Sequence, residues 1–159
     1  MEQKALARWL KIILIGVGIC GLIIYFLLIP GYGAGIASRY PEFAYCYWPW
    51  LIFIWISGIP CFGVLVFGWR IAGNIGRDRS FCSENAAALK WVSWLAAGDA
   101  GYFFLGNVIL LLLSMSHPGI ALYSLFVVFA GVAVAVAAGV LSHLVQKAAE
   151  LQEQSDLTI

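Results

Sequence analysis

Asp99 is the residue best suited to chemistry in this sequence, because it is a carboxylate inside a long apolar segment. It follows Trp91 by eight residues, which places it about 12 Å further along a helix axis and near the middle of that segment. A carboxylate at the centre of a bilayer costs on the order of 3 kcal/mol to insert. We therefore expect an uncharged, hydrogen-bonded Asp99 that serves as a proton relay, as an ion or ligand site, or as a structural contact between helices.

Other polar and helix-breaking residues lie in apolar segments and are candidates to act with this carboxyl group. We expect the partner of Asp99 to be Ser57, the backbone freed near Pro60, or Asn107. Pro60 removes a backbone hydrogen bond in mid-segment, which predicts a kink that serves as a hinge or only for packing. His143 lies near the end of the last segment, where an imidazole could sense pH or hydrogen-bond at the membrane interface.

Motifs of the known catalytic and metal-binding classes are absent from the sequence. It contains no phosphate-binding glycine loop, nucleophile elbow, paired-histidine zinc motif or dinucleotide fingerprint. The four cysteines lack CxxC or Cys/His spacing, so we expect no metal and no cofactor. Basic residues form no stripe of the kind that nucleic-acid binding needs, so we expect no direct nucleic-acid binding. We predict that the protein is not an enzyme.

The elements that must position these residues are four apolar segments of membrane-spanning length. Of the 159 residues 63% are hydrophobic, and the mean hydropathy is +0.93, whereas soluble domains are about half apolar. We predict an all-α polytopic membrane protein, a single domain over residues 1–159 with four transmembrane helices as two antiparallel hairpins. Pro30 is expected to end the first span. The predicted spans are about 9–29, 47–69, 86–115 and 120–144, with an outer loop 30–46, an inner loop 70–85 and a tail 145–159.

The basic residues that flank the spans predict the orientation. Every Lys and Arg except Arg39 lies in the N-terminal segment, the inner loop with its flanks, or the tail. Because basic residues are retained on the cytoplasmic side, we expect both termini and the inner loop to be cytoplasmic. The lipid bilayer is then the first partner of the protein.

Much of the charge lies in the connector 73–91 between the second and third spans. Ser83 is the predicted N-cap of the third span, and Glu84 follows it where negative charge suits the helix dipole. Arg77 and Arg79 could pair with the acidic tail, since both are expected on one side of the membrane. The candidate cytoplasmic site comprises Arg77, Asp78, Arg79, Phe81, Ser83 and Glu84.

Small residues recur at every fourth position on one face of the fourth span. Gly131, Ala135 and Gly139 form a stripe that allows two membrane helices to approach closely. The partner helix could lie in the same chain or in a second copy, so a homo-oligomer is one expectation. Cys46, which has no partner on the outer side, could also link two copies.

The connector and the tail carry patterns that resemble a known family. Residues 75–81 read IGRDRSF, residues 83–85 read SEN, and residues 151–159 read LQEQSDLTI. These segments resemble the "domain of unknown function" family twenty-nine-seventy-five of small bacterial four-span membrane proteins. The resemblance implies a bacterial plasma (inner) membrane location and no established biochemical activity. Some members of the family look as if they lie beside small helix-turn-helix regulators. The resemblance therefore implies a cytosolic regulatory protein as a partner.

Two functions follow from these observations as alternatives. The first is a non-enzymatic interaction or sensing protein that acts through its cytoplasmic loop and tail. The alternative is a small oligomeric transporter or channel that uses the intramembrane carboxylate of Asp99 together with Asn107 and Pro60.

Overall fold

A computed structural model describes residues 3–157, and helices account for nearly all of them. No strand occurs in this described part of the chain. The helices are α1 (Gln3–Ile23), α2 (Ile29–Arg39), α3 (Tyr47–Ile75), α4 (Ser83–Leu112) and α5 (Pro118–Leu157). A π-helical turn, Ile24–Leu28, joins α1 to α2, and a 3₁₀ segment, Pro41–Cys46, leads into α3.

Four helical stretches are long and apolar enough to cross a membrane. They are α1 with α2, the 3₁₀ segment with α3, then α4, and finally α5. Within residues 3–157, α1 packs on α3, α3 on α4, and α4 on α5, while helices further apart in the chain do not approach each other. The spans therefore lie in an open row, and the two flat sides of the row expose apolar side chains, as lipid contact requires.

The start of α1, the end of α5 and the connector between α3 and α4, residues 76–82, lie at one end of this row. The Ser80 hydroxyl in the connector donates a hydrogen bond to Oε1 of Gln3 at 2.7 Å. At the same end, the Ser142 hydroxyl on α5 donates to the carbonyl of Ala86 on α4, also at 2.7 Å. We call this end the basic end, because it carries every Lys and Arg except Arg39.

The sequence predicts that the first span ends at Pro30. In the structure the helix continues past Pro30 to Arg39. Proline lacks an N–H, and its ring collides with the carbonyl four residues earlier in a regular α-helix. The chain relieves that collision with the π-helical turn Ile24–Leu28, in which the N–H of Ile29 bonds to the carbonyl of Ile24. The segment expected as an outer loop is therefore largely helical.

A side chain from α3 donates a hydrogen bond to the backbone carbonyl that this π-helical turn leaves without a donor. In the π register, the carbonyl of Tyr25 would accept from the nitrogen of Pro30, which carries no hydrogen. The indole N–H of Trp55 donates to that carbonyl at 3.0 Å. The helix can therefore continue past Pro30 because its neighbour supplies the missing hydrogen bond.

The small-residue stripe of α5 packs on α4 of the same chain. A Cβ at Gly131 would lie 3.1 Å from the Cβ of Ala100, and one at Gly139 would lie 3.1 Å from the hydroxyl oxygen of Ser93. That hydroxyl donates to the carbonyl of Ala135 at 2.7 Å. Close backbone approach and an interhelical hydrogen bond together hold this hairpin.

Aromatic side chains join α3 to α4. The Tyr102 hydroxyl donates to the carbonyl of Phe53 at 3.1 Å. The Phe53 ring stacks on Phe103 with centroids 5.3 Å apart and covers Gly106, where any side chain would collide with it. Glycine at this position is therefore required by the aromatic packing.

Candidate functional sites

The carboxyl group of Asp99 belongs to a polar cluster that three helices build inside the apolar row. The thiol of Cys61 on α3 donates to Oδ2 of Asp99 at 3.5 Å. The hydroxyl of Tyr25, in the π-helical turn, donates to the same sulfur at 3.9 Å and lies 3.4 Å from the hydroxyl oxygen of Ser57. Ser57 itself donates to the carbonyl of Ile54 in its own helix at 2.8 Å. The result is a chain of hydrogen bonds from the π-helical turn of the first span to α4.

The other carboxyl oxygen of Asp99, Oδ1, differs from Oδ2 in its contacts. Among the described residues, Oδ1 of Asp99 is a buried oxygen without a hydrogen bond. A polar group in that state costs about 1–3 kcal/mol. It lies beside a cavity of about 190 Å³ between α3 and α4, lined by Ile56, Pro60, Trp94, Leu95, Gly98 and Tyr102.

The partners that the sequence suggested for Asp99 are placed differently. Ser57 reaches it only through Tyr25 and Cys61. Asn107 is buried and donates to the carbonyl of Phe103 in its own helix at 2.8 Å. The sequence did not suggest Tyr25 or Cys61 as partners of Asp99. The signal that could have found them is their depth in the membrane, which is similar to that of Asp99.

Pro60 and His143 also have definite places. Pro60 lies within the unbroken helix α3, and it lines the cavity beside Asp99. His143 is exposed on α5 near the basic end, well away from the Asp99 cluster. The structure thus brings Pro60 to Asp99 but leaves His143 and Asn107 apart from it.

The connector between α3 and α4 is organised around Asn85, which is only 2% exposed. Its amide nitrogen donates to the carbonyls of Arg79 and Ser80, at 3.2 and 3.0 Å. Its amide oxygen accepts from Nδ2 of Asn74 at 2.9 Å. Sequence reasoning quoted Asn85 within the family pattern but assigned it no role, and it did not select Asn74.

A left-handed residue turns the chain at the end of α3. Asp78 has a φ of 57°, a conformation that usually selects glycine. The N–H of Arg79 bonds back to the carbonyl of Asn74, and that of Asp78 to Ile75, at 3.0 and 3.1 Å. These two bonds close the helix end in the arrangement known as a Schellman motif.

Helix α4 starts one residue differently from the expectation. Cys82, and not Ser83, is the N-cap: it is extended (φ −137°, ψ 155°), and its carbonyl accepts from the N–H groups of Asn85 and Ala86. Ser83 is already the first residue of the helix, and no side-chain hydrogen bond from the N-cap position is found among the described residues. The prediction of Ser83 as N-cap is therefore wrong, because Asn85 and the turn before it set the helix start.

The arginines of the connector differ in their contacts. Arg79 pairs with Glu84 at 3.3 Å, and both side chains are more than half exposed (52% and 59%). Such a pair contributes about 0.2–1 kcal/mol at most, so it directs the side chains more than it stabilises the fold. Arg77 and Phe81 are exposed. Within residues 3–157 no other ion pair forms, so the pairing of Arg77 and Arg79 with the tail that the sequence suggested is not found there.

Helix α5 extends well beyond the length that a bilayer requires. Its 40 residues span about 60 Å, whereas the hydrocarbon core is about 30 Å thick. Ala149 is its last buried residue, and everything from Glu150 to Leu157 is exposed. We call this exposed part, residues 150–157, the tail helix; its acidic residues are Glu150, Glu153 and Asp156.

At the end of the row opposite the basic end, aromatic residues pack on glycine. Gly33 is buried beneath Tyr47 and Trp50, whose rings would lie within 3 Å of any Cβ there. Cys46 is a free thiol that is only 7% exposed, so little of it is available for a disulfide between copies. Several other aromatic side chains at this end are exposed: Tyr32, Tyr40, Phe43, Tyr45 and Trp48.

Four apolar helices of membrane-spanning length, with no strand in the described residues, define a multi-pass α-helical membrane protein. The chain belongs to the family described as protein of unknown function DUF2975, whose model matches residues 31–159. It is similar to the "Uncharacterized membrane protein YoaS" of Bacillus subtilis (strain 168), at 27% identity over 153 residues, 95% of this chain and 96% of the relative. No solved structure matches the chain.

Proposed function

We propose that this membrane protein is a non-enzymatic interaction protein of the bacterial plasma membrane, which binds a cytosolic protein through the connector 76–82 and the tail helix. The observation that carries this proposal is the tail helix itself. It continues α5 without a break, is anchored at Ala149, and is exposed on every side from Glu150 onward. A rigid, solvated helix joined directly to a membrane span is well suited to contact another protein.

The connector supports the same function. Buried Asn85 and the turn at Asp78 give residues 76–82 a defined conformation. A site held in advance loses little conformational entropy when a partner binds. Phe81 is exposed on this ordered surface, and apolar side chains of that kind provide the buried anchors of protein interfaces.

The charge of the tail helix indicates the kind of partner. Its three carboxylates form no salt bridge with the described basic residues. An unneutralised acidic helix favours a partner with a basic surface, because complementary charge directs association. The distribution of Lys and Arg supports a cytoplasmic position for this end of the molecule.

Site-specific photocrosslinking in cells tests this proposal. A photoreactive amino acid replaces Glu153 in the full-length protein, and Tyr32, at the other end of the row, serves as the control position. We expect one cytosolic protein to be crosslinked from position 153 and not from position 32. The crosslink should disappear when Glu150 and Asp156 are changed to Lys, and it should persist in Asp99→Asn. Crosslinks to lipid alone would contradict the proposal, and so would a protein crosslink that persists after Glu150 and Asp156 are changed to Lys.

A second candidate function rests on a separate observation: Oδ1 of Asp99 is buried beside its cavity and accepts no hydrogen bond from the described residues. We propose as the alternative that Asp99 takes part in the movement of protons or small cations, since intramembrane carboxylates commonly mark such paths. Flux of protons, Na⁺ and K⁺ into proteoliposomes is the measurement. Asp99→Asn should abolish the flux, whereas Lys147→Gln should preserve it. Absence of flux for all three ions would remove this alternative.

A further inference from the structure

A second and larger cavity lies at the basic end, between α1, α3 and α4. Its volume is about 610 Å³. Three helices contribute to its wall, so it forms only when the first three spans are assembled. Its charged residues are Lys11, Arg70, Arg77 and Glu84, and its aromatic residues are Phe67, Trp69 and Trp91.

Aromatic rings hold the basic side chains of this cavity in place. The Nζ of Lys11 lies 5.2 Å from the centre of the Trp69 ring. The guanidinium carbon of Arg70 lies 5.7 Å from the centre of the Phe67 ring, which stacks in turn on Trp91 at 6.3 Å. Rings in this position attract a cation without neutralising its charge. The cations therefore stay available to an anion.

The charge of the cavity is not balanced by protein carboxylates. Lys11, Arg70 and Arg77 form no salt bridge among the described residues. Glu84 is the acidic residue of the wall, and its carboxylate already bonds to Arg79 and Asn74. Three cations around one cavity thus lack a counter-ion within the described chain.

We propose that this cavity binds the phosphate group of an anionic phospholipid. Cationic side chains converge on it from two helices, as phosphate recognition requires. The cavity is level with the ends of the spans, where Trp side chains and lipid headgroups meet. Trp91 in its wall is 57% exposed, so an acyl chain can lie against the indole ring. A lipid in this position contacts α1, α3 and α4 together and holds the connector against the membrane.

Lipid titration followed by native mass spectrometry tests this proposal. The full-length protein in detergent receives phosphatidylglycerol or phosphatidylcholine, and the bound lipids are counted at each concentration. We expect one tight phosphatidylglycerol and no equivalent phosphatidylcholine. Arg70→Gln and Lys11→Gln should each weaken that binding about fivefold, since one basic residue near a membrane surface contributes about 1 kcal/mol. Lys147→Gln, at the same end but outside the cavity, should leave it unchanged.

Two results would overturn the lipid site. One is equal binding of the two lipids; the other is a loss in Lys147→Gln as large as in Arg70→Gln, which would indicate general surface attraction. Inorganic phosphate distinguishes a soluble ligand from a lipid: if it displaces phosphatidylglycerol at millimolar concentration, the cavity serves free phosphate and the lipid proposal is wrong.

A measurement on the unmodified chain keeps the proposal testable if the Gln variants do not fold. Phosphatidylglycerol with brominated acyl chains quenches nearby tryptophans, so it should quench wild-type fluorescence more than brominated phosphatidylcholine does. Trp91→Phe should reduce that difference, with the remainder coming from Trp69 in the same wall, whereas Trp48→Phe, at the far end of the row, should retain it in full. Equal quenching by the two brominated lipids would contradict the site.

Discussion

At the scale of single residues, Asn85 shows how one buried amide can define a surface loop. Its amide nitrogen donates to two carbonyls of the connector, and its amide oxygen accepts from the amide of Asn74. Both polar atoms of the side chain are therefore hydrogen-bonded. Ser83, which the sequence favoured as the helix cap, is exposed and is already the first residue of the helix. The buried amide, rather than the exposed hydroxyl, fixes where α4 begins.

Asn85→Ala should therefore lower the free energy of unfolding by about 1–3 kcal/mol, because it leaves partners unsatisfied in a buried place. Ser83→Ala is the matched control and should change it by less than about 0.5 kcal/mol. Thermal unfolding of the detergent-purified variants measures both. Equal losses would show that Ser83 caps the helix after all.

Asp78 should tolerate glycine and reject a branched side chain. Its φ of 57° costs about 1–2 kcal/mol for a residue with an ordinary Cβ, and asparagine, aspartate and glycine avoid much of that cost. Asp78→Gly should equal or exceed the wild type in unfolding temperature, and Asp78→Val should fall clearly below it. A Val variant as stable as the Gly variant would contradict the left-handed turn.

Asp99 should add nothing to stability. Among the described residues, Oδ1 is buried without a hydrogen-bond partner, and an amide of the same shape keeps an oxygen that can accept from the Cys61 thiol. Asp99→Asn should therefore unfold at the same temperature as the wild type or at a higher one. A drop of several degrees would instead identify Asp99 as a structural contact between α3 and α4.

At the scale of elements, the π-helical turn depends on two residues from different helices. Pro30 creates the need for a donor, and Trp55 supplies it to the carbonyl of Tyr25. The turn also sets the position of the Tyr25 side chain, which reaches Cys61 and Ser57. The break in helical regularity thus connects the first span to the cluster around Asp99.

A double-mutant cycle should reveal this dependence. Trp55→Phe alone should lower the free energy of unfolding by about 1–3 kcal/mol, because the carbonyl of Tyr25 loses its donor. In a Pro30→Ala background the restored N–H can bond within the helix, so the same substitution should cost less. Unfolding measurements on the four proteins give the coupling energy. A cost of Trp55→Phe that is independent of residue 30 would refute the explanation.

The elements also show where sequence reasoning succeeded and where it stopped. Hydropathy predicted four spans because burying an apolar segment in lipid depends on composition and length alone. It could not predict that Pro30 lies inside a helix, since the compensating donor is on another span. It gave the depth of Asp99 but not which neighbour faces it, because rotation of α4 about its axis is set by packing. Cys61 therefore took the place expected for Ser57.

At the scale of the whole molecule, the row of spans places basic residues at one end, and this asymmetry yields a topological test. In a variant that keeps Cys82 as its one cysteine, a membrane-impermeant maleimide should label the protein after permeabilisation and not in intact cells. Arg39→Cys in a cysteine-free background should show the opposite behaviour. Labelling of Cys82 from outside intact cells would reverse the orientation.

The unbroken length of α5 has a mechanical consequence. Leu157 lies eight positions after Ala149, which is about 12 Å of straight helix beyond the last buried position. Membrane helices adjust their tilt when bilayer thickness changes, and tilts of about 20° are ordinary. A tilt of that size moves the end of the tail helix sideways by about 4 Å relative to Ala149. A change in bilayer thickness that tilts α5 therefore changes the position of the three carboxylates of the tail helix.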